Sequence, residues 1–266
     1  LISIYQNTDE IEELDKNHTL VFEGDFAHPL VLSRIAQGFY GYVFHCAADP
    51  RVEYSVQNPL DTTTNNITKT VALLSACVGN INRFVFSSSC SVYGDHYSNC
   101  SEPTAETAHP SPNSPYALQK LTIDRFLPMF GPGHDGTGAY ATAVAAWCNA
   151  LKVGKPLRSD GDGSQSRDMV YVDDIASANI MAAMHGSDLK GGTFNICTGS
   201  AVTNNEILQM IWKAHGPYER QDTPPRSGDV MHARGDPTKA KEAFGFETRV
   251  PFNVGLELTM KWWGLL

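Results

Sequence analysis

Short apolar runs closed by small or polar residues alternate along this chain with stretches in which apolar residues recur at helical spacing. Leu1-Ile-Ser-Ile-Tyr5, Thr19-Leu-Val-Phe-Glu-Gly-Asp25, Gly41-Tyr-Val-Phe-His-Cys-Ala-Ala48 and Arg83-Phe-Val-Phe-Ser-Ser-Ser-Cys-Ser-Val-Tyr-Gly94 read as buried strands. Between the last two, residues 49–61 read as a polar loop with a short helix, and Ile67, Val71, Leu74 and Val78 mark a helix over 62–79. Further on, the pattern predicts helices over 114–126, 138–154 and 175–185, and a strand over 192–199. Asn204 or Asn205 is placed to cap a helix running to His215. Strands alternating with helices point to an α/β protein built on a parallel sheet.

The most chemically informative stretch starts at the fourth strand. Pro115 suits the first turn of a helix, where its missing N–H costs nothing, and this puts Tyr116 and Lys120 four residues apart on one face. An ammonium beside a phenol favours the phenolate and lowers its pKa from about 10. A tyrosine tuned in this way serves as a general base near neutral pH. Tyr-x-x-x-Lys alone is a weak pattern. Here, however, no other tyrosine among the ten has lysine four residues later, and a serine-rich strand end precedes the pair. His45 reads as a packed strand histidine, and the Ala/Met stripe of 175–185 as core.

Composition narrows the class. A chain of 266 residues with 42% hydrophobic and 18% charged residues can bury a real core. The net charge of −9 argues against nucleic acid or an anionic membrane as main partner. No apolar run reaches membrane-spanning length, and the first residues do not read as a signal peptide. Cys46, Cys77, Cys90, Cys100, Cys148 and Cys197 are scattered without a Cys-x-x-Cys pair, so they read as reduced thiols of a cytoplasmic protein and no metal site is expected. The Asn-x-Ser/Thr triplets at Asn17, Asn66 and Asn99 carry no meaning in that compartment.

Ser87-Ser-Ser-Cys-Ser-Val-Tyr-Gly94 followed by Tyr116 and Lys120 resembles the extended short-chain dehydrogenase/reductases, and within them the NAD-dependent nucleotide-sugar epimerases and dehydratases. The resemblance runs from about Val21 onward. It includes a second signature, Gly161-Asp-Gly-Ser-Gln-Ser-Arg-Asp-Met-Val-Tyr-Val-Asp-Asp174, and a third, Arg226-Ser-Gly-Asp229. It implies Ser89, Tyr116 and Lys120 as catalytic residues, with Ser87 and Ser88 as strand-end structure. It implies that Asp25, Phe26, Ala47, Ala48, Asn65, Tyr116 and Lys120 contact NAD. A turn aspartate capping the helix near Pro29 is an equal reading of Asp25. Small residues at a strand's carboxyl end, such as Ala47 and Ala48, let a dinucleotide approach closely. Ser89, Arg167, Arg226, Asp229 and Ala233 are implied on the substrate side: the arginines on the diphosphate, where a guanidinium fork suits phosphate oxygens, Asp229 on the ribose, and Ala233 leaving room for an N-acetyl group. Asp168, which orients Arg167 or caps the next segment, and Asp173 and Asp174 are read as structural. Cys90-Ser91 stands where sugar 4,6-dehydratases have Asp-Glu, which argues against dehydration.

Two departures from the family pattern produce expectations of their own. The family's Gly-x-x-Gly-x-x-Gly turn, which sets the cofactor pyrophosphate on a helix N-terminus, occurs nowhere in the sequence, and Asp9 is a poor match for its ribose-binding acid. Roughly 25 to 30 residues of the natural protein are therefore expected ahead of Leu1, from the usual strand–turn–helix length. A second segment, including a sheet strand, is expected after Phe126, because a helix running into Pro128 with no strand behind it makes poor structural sense.

The resemblance implies a doubly wound, Rossmann-like parallel sheet lacking its N-terminal strand and glycine turn, with a smaller α/β substrate domain. Residues 1–130 and 168–200 would bind NAD, and 131–167 and 201–266 the nucleotide sugar. The implied activity is 4-epimerisation of a UDP-hexose, UDP-glucose/UDP-galactose or their N-acetyl forms, through a 4-keto intermediate in a homodimer. A UDP-uronate 4-epimerase or decarboxylase, another sugar-nucleotide oxidoreductase, and a non-catalytic nucleotide-sugar-binding protein remain as alternatives.

Overall fold

The computed structural model describes residues 2–5, 13–16, 19–97, 102–123, 129–130, 142–225 and 231–266. Strand β1 (Ile2–Tyr5) pairs in parallel with β3 (Thr19–Glu23), and β2 (Glu13–Lys16) lies antiparallel on the other side of β3. Helix α1 (Pro29–Ala36) follows, opened by His28, whose ring nitrogen accepts from Leu30 N–H at 3.2 Å. It leads to β4 (Tyr42–His45). The crossover to the next parallel strand is built from α2 (Val52–Gln57), α3 (Pro59–Thr63), a π turn (Thr64–Thr68) and α4 (Lys69–Cys77). That strand, β5 (Arg83–Phe86), pairs in parallel with β4, Tyr42 opposite Arg83 and His45 opposite Phe86. Strand–helix–strand repeats of this kind are how parallel neighbours are connected. Val31 and Ile35 of α1 pack on Leu73 and Cys77 of α4 to form the core beside this sheet.

The second half holds α5 (Pro115–Ile123), β6 (Met129–Phe130), α6 (Ala143–Lys152), β7 (Leu157–Asp160), β8 (Ser166–Arg167), β9 (Val170–Tyr171) and α7 (Val172–Met184). It closes with β10 (Val202–Thr203), α8 (Asn204–His215), β11 (Arg220–Thr223), β12 (His232–Ala233), α9 (Thr238–Phe244) and α10 (Phe252–Trp262). Val144, Trp147, Leu157, Ile207, Ile211 and Met260 build a separate core from α6, β7, α8 and α10. Ala240, Phe244 and Phe246 pack instead with Ile175, Ala178 and Ile196. Helix α9 therefore belongs physically with α7, and the expected boundary that assigned all of 201–266 to the substrate domain cuts through a shared core.

Several elements differ from expectation. The expected strand 83–94 is a strand only through Phe86. Ser87–Ser89 leave the sheet, and a 3-10 turn (Cys90–Tyr97) follows, in which Gly94 adopts φ 54°, ψ −132°. A Cβ at Gly94 would collide with the Ser111 carbonyl oxygen, so the turn demands glycine. Helix α7 begins at Val172 rather than at 175. The cap of α8 is Thr203, not an asparagine: its hydroxyl accepts from Glu206 N–H while the Glu206 carboxylate accepts from Thr203 N–H, a capping box.

The expected strand 192–199 joins no ladder among the described residues. The reason lies beside it. Among the described residues β5 pairs only with β4, and Ser87 N–H donates to the His45 carbonyl. By alternation, the backbone groups of Phe84 and Phe86 face away from β4. A cavity of about 530 Å³ lies there, walled by Phe84, Phe86, Ala178, Ala182, Phe194 and Ile196 among others.

Candidate active site

Helix α5 carries two buried polar side chains one turn apart, Tyr116 (7% exposed) and Lys120 (4%). Its first turn is anchored twice: Ser114 Oγ accepts from Ala117 N–H, and Ser55 Oγ, from α2, accepts from Tyr116 N–H, both at 3.1 Å. These bonds satisfy amides that a helix start leaves without partners. Gln119, on the face toward the π turn, donates to Thr62 Oγ1 and Thr63 Oγ1 at 3.0 Å and accepts from Asn66 Nδ2 at 2.8 Å. Asn66 also donates to the Asp49 carbonyl and accepts from the Asp49 N–H. One buried network thus ties α5 to the π turn and to the loop after β4.

Ser89 sits where β5 has ended. Its Oγ accepts from Ser91 N–H at 3.3 Å and from the Ser91 hydroxyl at 2.9 Å. The Tyr116 hydroxyl is within its hydrogen-bonding reach. Lys120 Nζ donates to the Ser87 carbonyl at 2.8 Å and lies 4.7 Å from the Phe86 ring centre. The structure therefore brings Ser89, Tyr116 and Lys120 together. It corrects the expected effect of Lys120 on the phenol. Burial pushes Tyr116 up to about 12, the Ser89 hydroxyl works the other way, and nearby Cys90 and Asp49 raise it further. Burial also brings Lys120 down to about 8. Removal from water, not the lysine charge, sets both values in the free protein.

The cofactor-side residues divide. Ala47 and Ala48 follow β4 directly at its carboxyl end, with Cys46 accepting from Ser87 Oγ at 3.2 Å beside them. Asp25 Oδ1 accepts from Ala27 N–H, and its carboxylate pairs with Lys69 at 2.6 Å, so it shapes the turn into α1. Phe26 lies 4.7 Å from the His45 ring. His45 is indeed packed, bonded to Thr70 at 2.9 Å, with burial lowering it to about 4. Asn65 is a correction: its side chain accepts from Lys69, whereas Asn66 is the asparagine (4% exposed) turned toward α5 and the β4 loop. An ammonium, a phenol and small residues at a strand's carboxyl end suit the nicotinamide–ribose half of a dinucleotide.

On the substrate side, Arg167 donates to the carbonyls of Ser166 and Met231 at 2.9 and 3.3 Å. Its charge is felt at Cys90, next to Ser89, where burial otherwise pushes the thiol up to about 11. Asp168 does not orient Arg167. Its carboxylate accepts from the amides of Thr198, Gly199 and Gly235 and from the Thr198 hydroxyl, and it stitches three segments together. Asp174 does the same for Arg249 and Val250. Ala233 (3% exposed) is buried and packs against Val92 and Tyr93. Arg226 and Asp229 lie outside the described residues.

The family model described as GDP-mannose 4,6 dehydratase matches residues 3–259. The chain belongs to this family. Among family relatives it is similar to the UDP-glucose 4-epimerase of Mycolicibacterium smegmatis, 34% identical over 240 residues that cover 82% of this chain and 74% of the relative. Its fold is similar to the crystal structure of UDP-glucose 4-epimerase from Thermotoga maritima with UDP-glucose, at TM-score 0.88 and 31% identity, covering 99% of this chain and 90% of that one. It is also similar to the Thermus thermophilus UDP-glucose 4-epimerase complex with NAD, at TM-score 0.81 and 29% identity, covering 94% and 86%. Against this family background, Gln119, Asn66 and Ser91 are the site residues that sequence reasoning passed over. Each is a neutral polar residue one or two places from a residue that was picked out, and only burial and contacts single it out.

Proposed function

We propose that this chain catalyses 4-epimerisation of a UDP-hexose with NAD as its cofactor. The observation that carries the reading is the convergence of Ser89, Tyr116 and Lys120 at the carboxyl ends of β4 and β5. Tyr116 takes the proton from the sugar's 4-hydroxyl, Ser89 donates a hydrogen bond to the same oxygen, and Lys120 holds the cofactor's ribose side. NAD held here would supply the hydride acceptor and donor for carbon 4, and its positive charge would favour the phenolate. Tyr116 then gives the proton back, so the enzyme ends as it began. Arg167, with Arg226 and Asp229, takes the nucleoside diphosphate.

We assign residues 1–130 and 168–200, with α9, to the cofactor half and 131–167 with the rest of 201–266 to the sugar-nucleotide half. The chain acts in the cytoplasm as a homodimer through α3, α4 and α5. Exposed Leu60, Val71, Val78 and Leu118 on or just after those helices support the dimer, and free thiols at Cys46, Cys77, Cys90, Cys148 and Cys197 support the compartment. No described helix is long and apolar enough to cross a membrane.

Proton NMR of the full-length protein with UDP-glucose, and separately with UDP-N-acetylglucosamine, tests the reading. A growing anomeric signal of the corresponding galacto sugar is expected with UDP-glucose. Silence with both, in protein that retains NAD, would move the substrate to UDP-uronates; silence in protein without NAD would favour a binding protein.

A further inference from the structure

A serine hydroxyl has one proton to give and two lone pairs that accept. At Ser89 both acceptor positions are taken from the same residue. The Ser91 backbone N–H, which can only donate, reaches Ser89 Oγ at 3.3 Å, and the Ser91 hydroxyl reaches it at 2.9 Å. This is a local side-chain cap on the start of the 3-10 turn (Cys90–Tyr97), the kind of bond serine makes where a backbone leaves regular structure. It leaves the Ser89 proton one direction to go, toward Tyr116. We propose that Ser91 is a positioning residue that makes Ser89 an obligate hydrogen-bond donor, to the Tyr116 oxygen in the free protein and to the sugar oxygen during turnover.

The consequence is directional. A Ser89 free to rotate could accept from the sugar hydroxyl and compete with Tyr116 for its proton. A Ser89 held as donor stabilises negative charge on whichever oxygen faces it, the phenolate before proton transfer and the 4-oxygen after it. The lowering that Ser89 exerts on Tyr116 has the sign such a donor gives. Ser91 itself never touches the sugar in this scheme; it acts only through Ser89.

The part concerning the sugar rests on the proposed epimerase reading, so two readouts are needed. The full chain and its variants Ser91→Ala and Ser91→Thr are compared by steady-state kinetics with UDP-glucose. They are also compared by titration of the Tyr116 ring carbon in protein carrying 13C-labelled tyrosine, its signal assigned from Tyr116→Phe. Ser91→Ala is expected to lower kcat about three- to tenfold, the worth of one hydrogen bond in the transition state, with KM unchanged. It is also expected to move the Tyr116 titration to higher pH. Ser91→Thr, which keeps the hydroxyl, is expected to restore both. Unchanged kcat and titration in Ser91→Ala, or a Ser91→Thr as impaired as Ser91→Ala, would overturn the proposal. If the wild-type chain turns over no UDP-sugar, the epimerase reading fails separately, and the Tyr116 titration alone decides whether Ser91 polarises Ser89.

Discussion

A phenol in water gives up its proton near pH 10, and a lysine ammonium near 10.5. At Tyr116 and Lys120 burial pulls these values to about 12 and about 8, each away from its charged form. The free protein therefore keeps its base protonated until the site is filled. Tyr116→Phe is expected to lower kcat by about 10²- to 10⁴-fold, the usual contribution of a positioned acid–base group. Single-turnover kinetics at saturating UDP-sugar would read it, and normal turnover would remove Tyr116 from the mechanism. Lys120 has a stability consequence whose sign follows from its lowered value. Below about pH 8 the folded protein carries a buried charge that the unfolded chain solvates freely. Between 8 and 10.5 only the unfolded lysine stays charged, so the deficit shrinks as pH rises and is gone above both values. Lys120→Met is expected to raise stability at pH 7 by about 1–3 kcal/mol while abolishing turnover. Urea melts at pH 7 and pH 10 check this, and equal midpoints at pH 7 would show that the buried ammonium costs nothing. Tyr116 and Lys120 were legible because they lie one helical turn apart, and Ser89 only through the family resemblance of Ser87 to Gly94. Asn66 was not, because a π turn carries one extra residue per hydrogen-bonded ring. That shift decides which of two adjacent asparagines faces inward, and periodicity cannot see it.

Among the elements, α5 depends most on its neighbours. A helix of nine residues has little stability of its own and takes its orientation from what it packs on. For α5 that partner is largely polar: Gln119 alone makes three hydrogen bonds, to Thr62, Thr63 and Asn66. Gln119→Leu keeps the size but strands those groups in a buried setting, at an expected cost of about 2 kcal/mol. Because Tyr116 and Lys120 ride on the same helix, kcat is expected to fall as well. A variant with wild-type stability and kcat would show the network to be passive. Element types were mostly readable from apolar spacing, but element ends were not. Ser87 to Ser89 continue a run that looks like a strand, yet the ladder stops at Phe86, where the serines and Gly94 begin a tight turn. The 192–199 segment has a strand's composition but joins no ladder among the described residues.

At the scale of the molecule, the strand that follows α5 among the described residues is β6, parallel to β9, while β5 pairs only with β4 among them. Nothing in a hydrophobic pattern can mark a cavity, because the pattern reports only the residues that are present. Hydrogen exchange monitored by NMR is expected to show fast amides at Phe84 and Phe86, with slow ones at Val85 and at Ser87, which donates to His45. Uniform protection along β5 would mean that its outer edge is covered. Natural sheets blunt, charge or cover edges of this kind because a bare backbone edge is a template for any extended chain. Here the cavity beside β5 is lined by Phe84, Phe86, Phe194 and Ile196, with Arg83 and Asp188 also on its wall. An incoming strand would gain both hydrogen bonds and apolar burial.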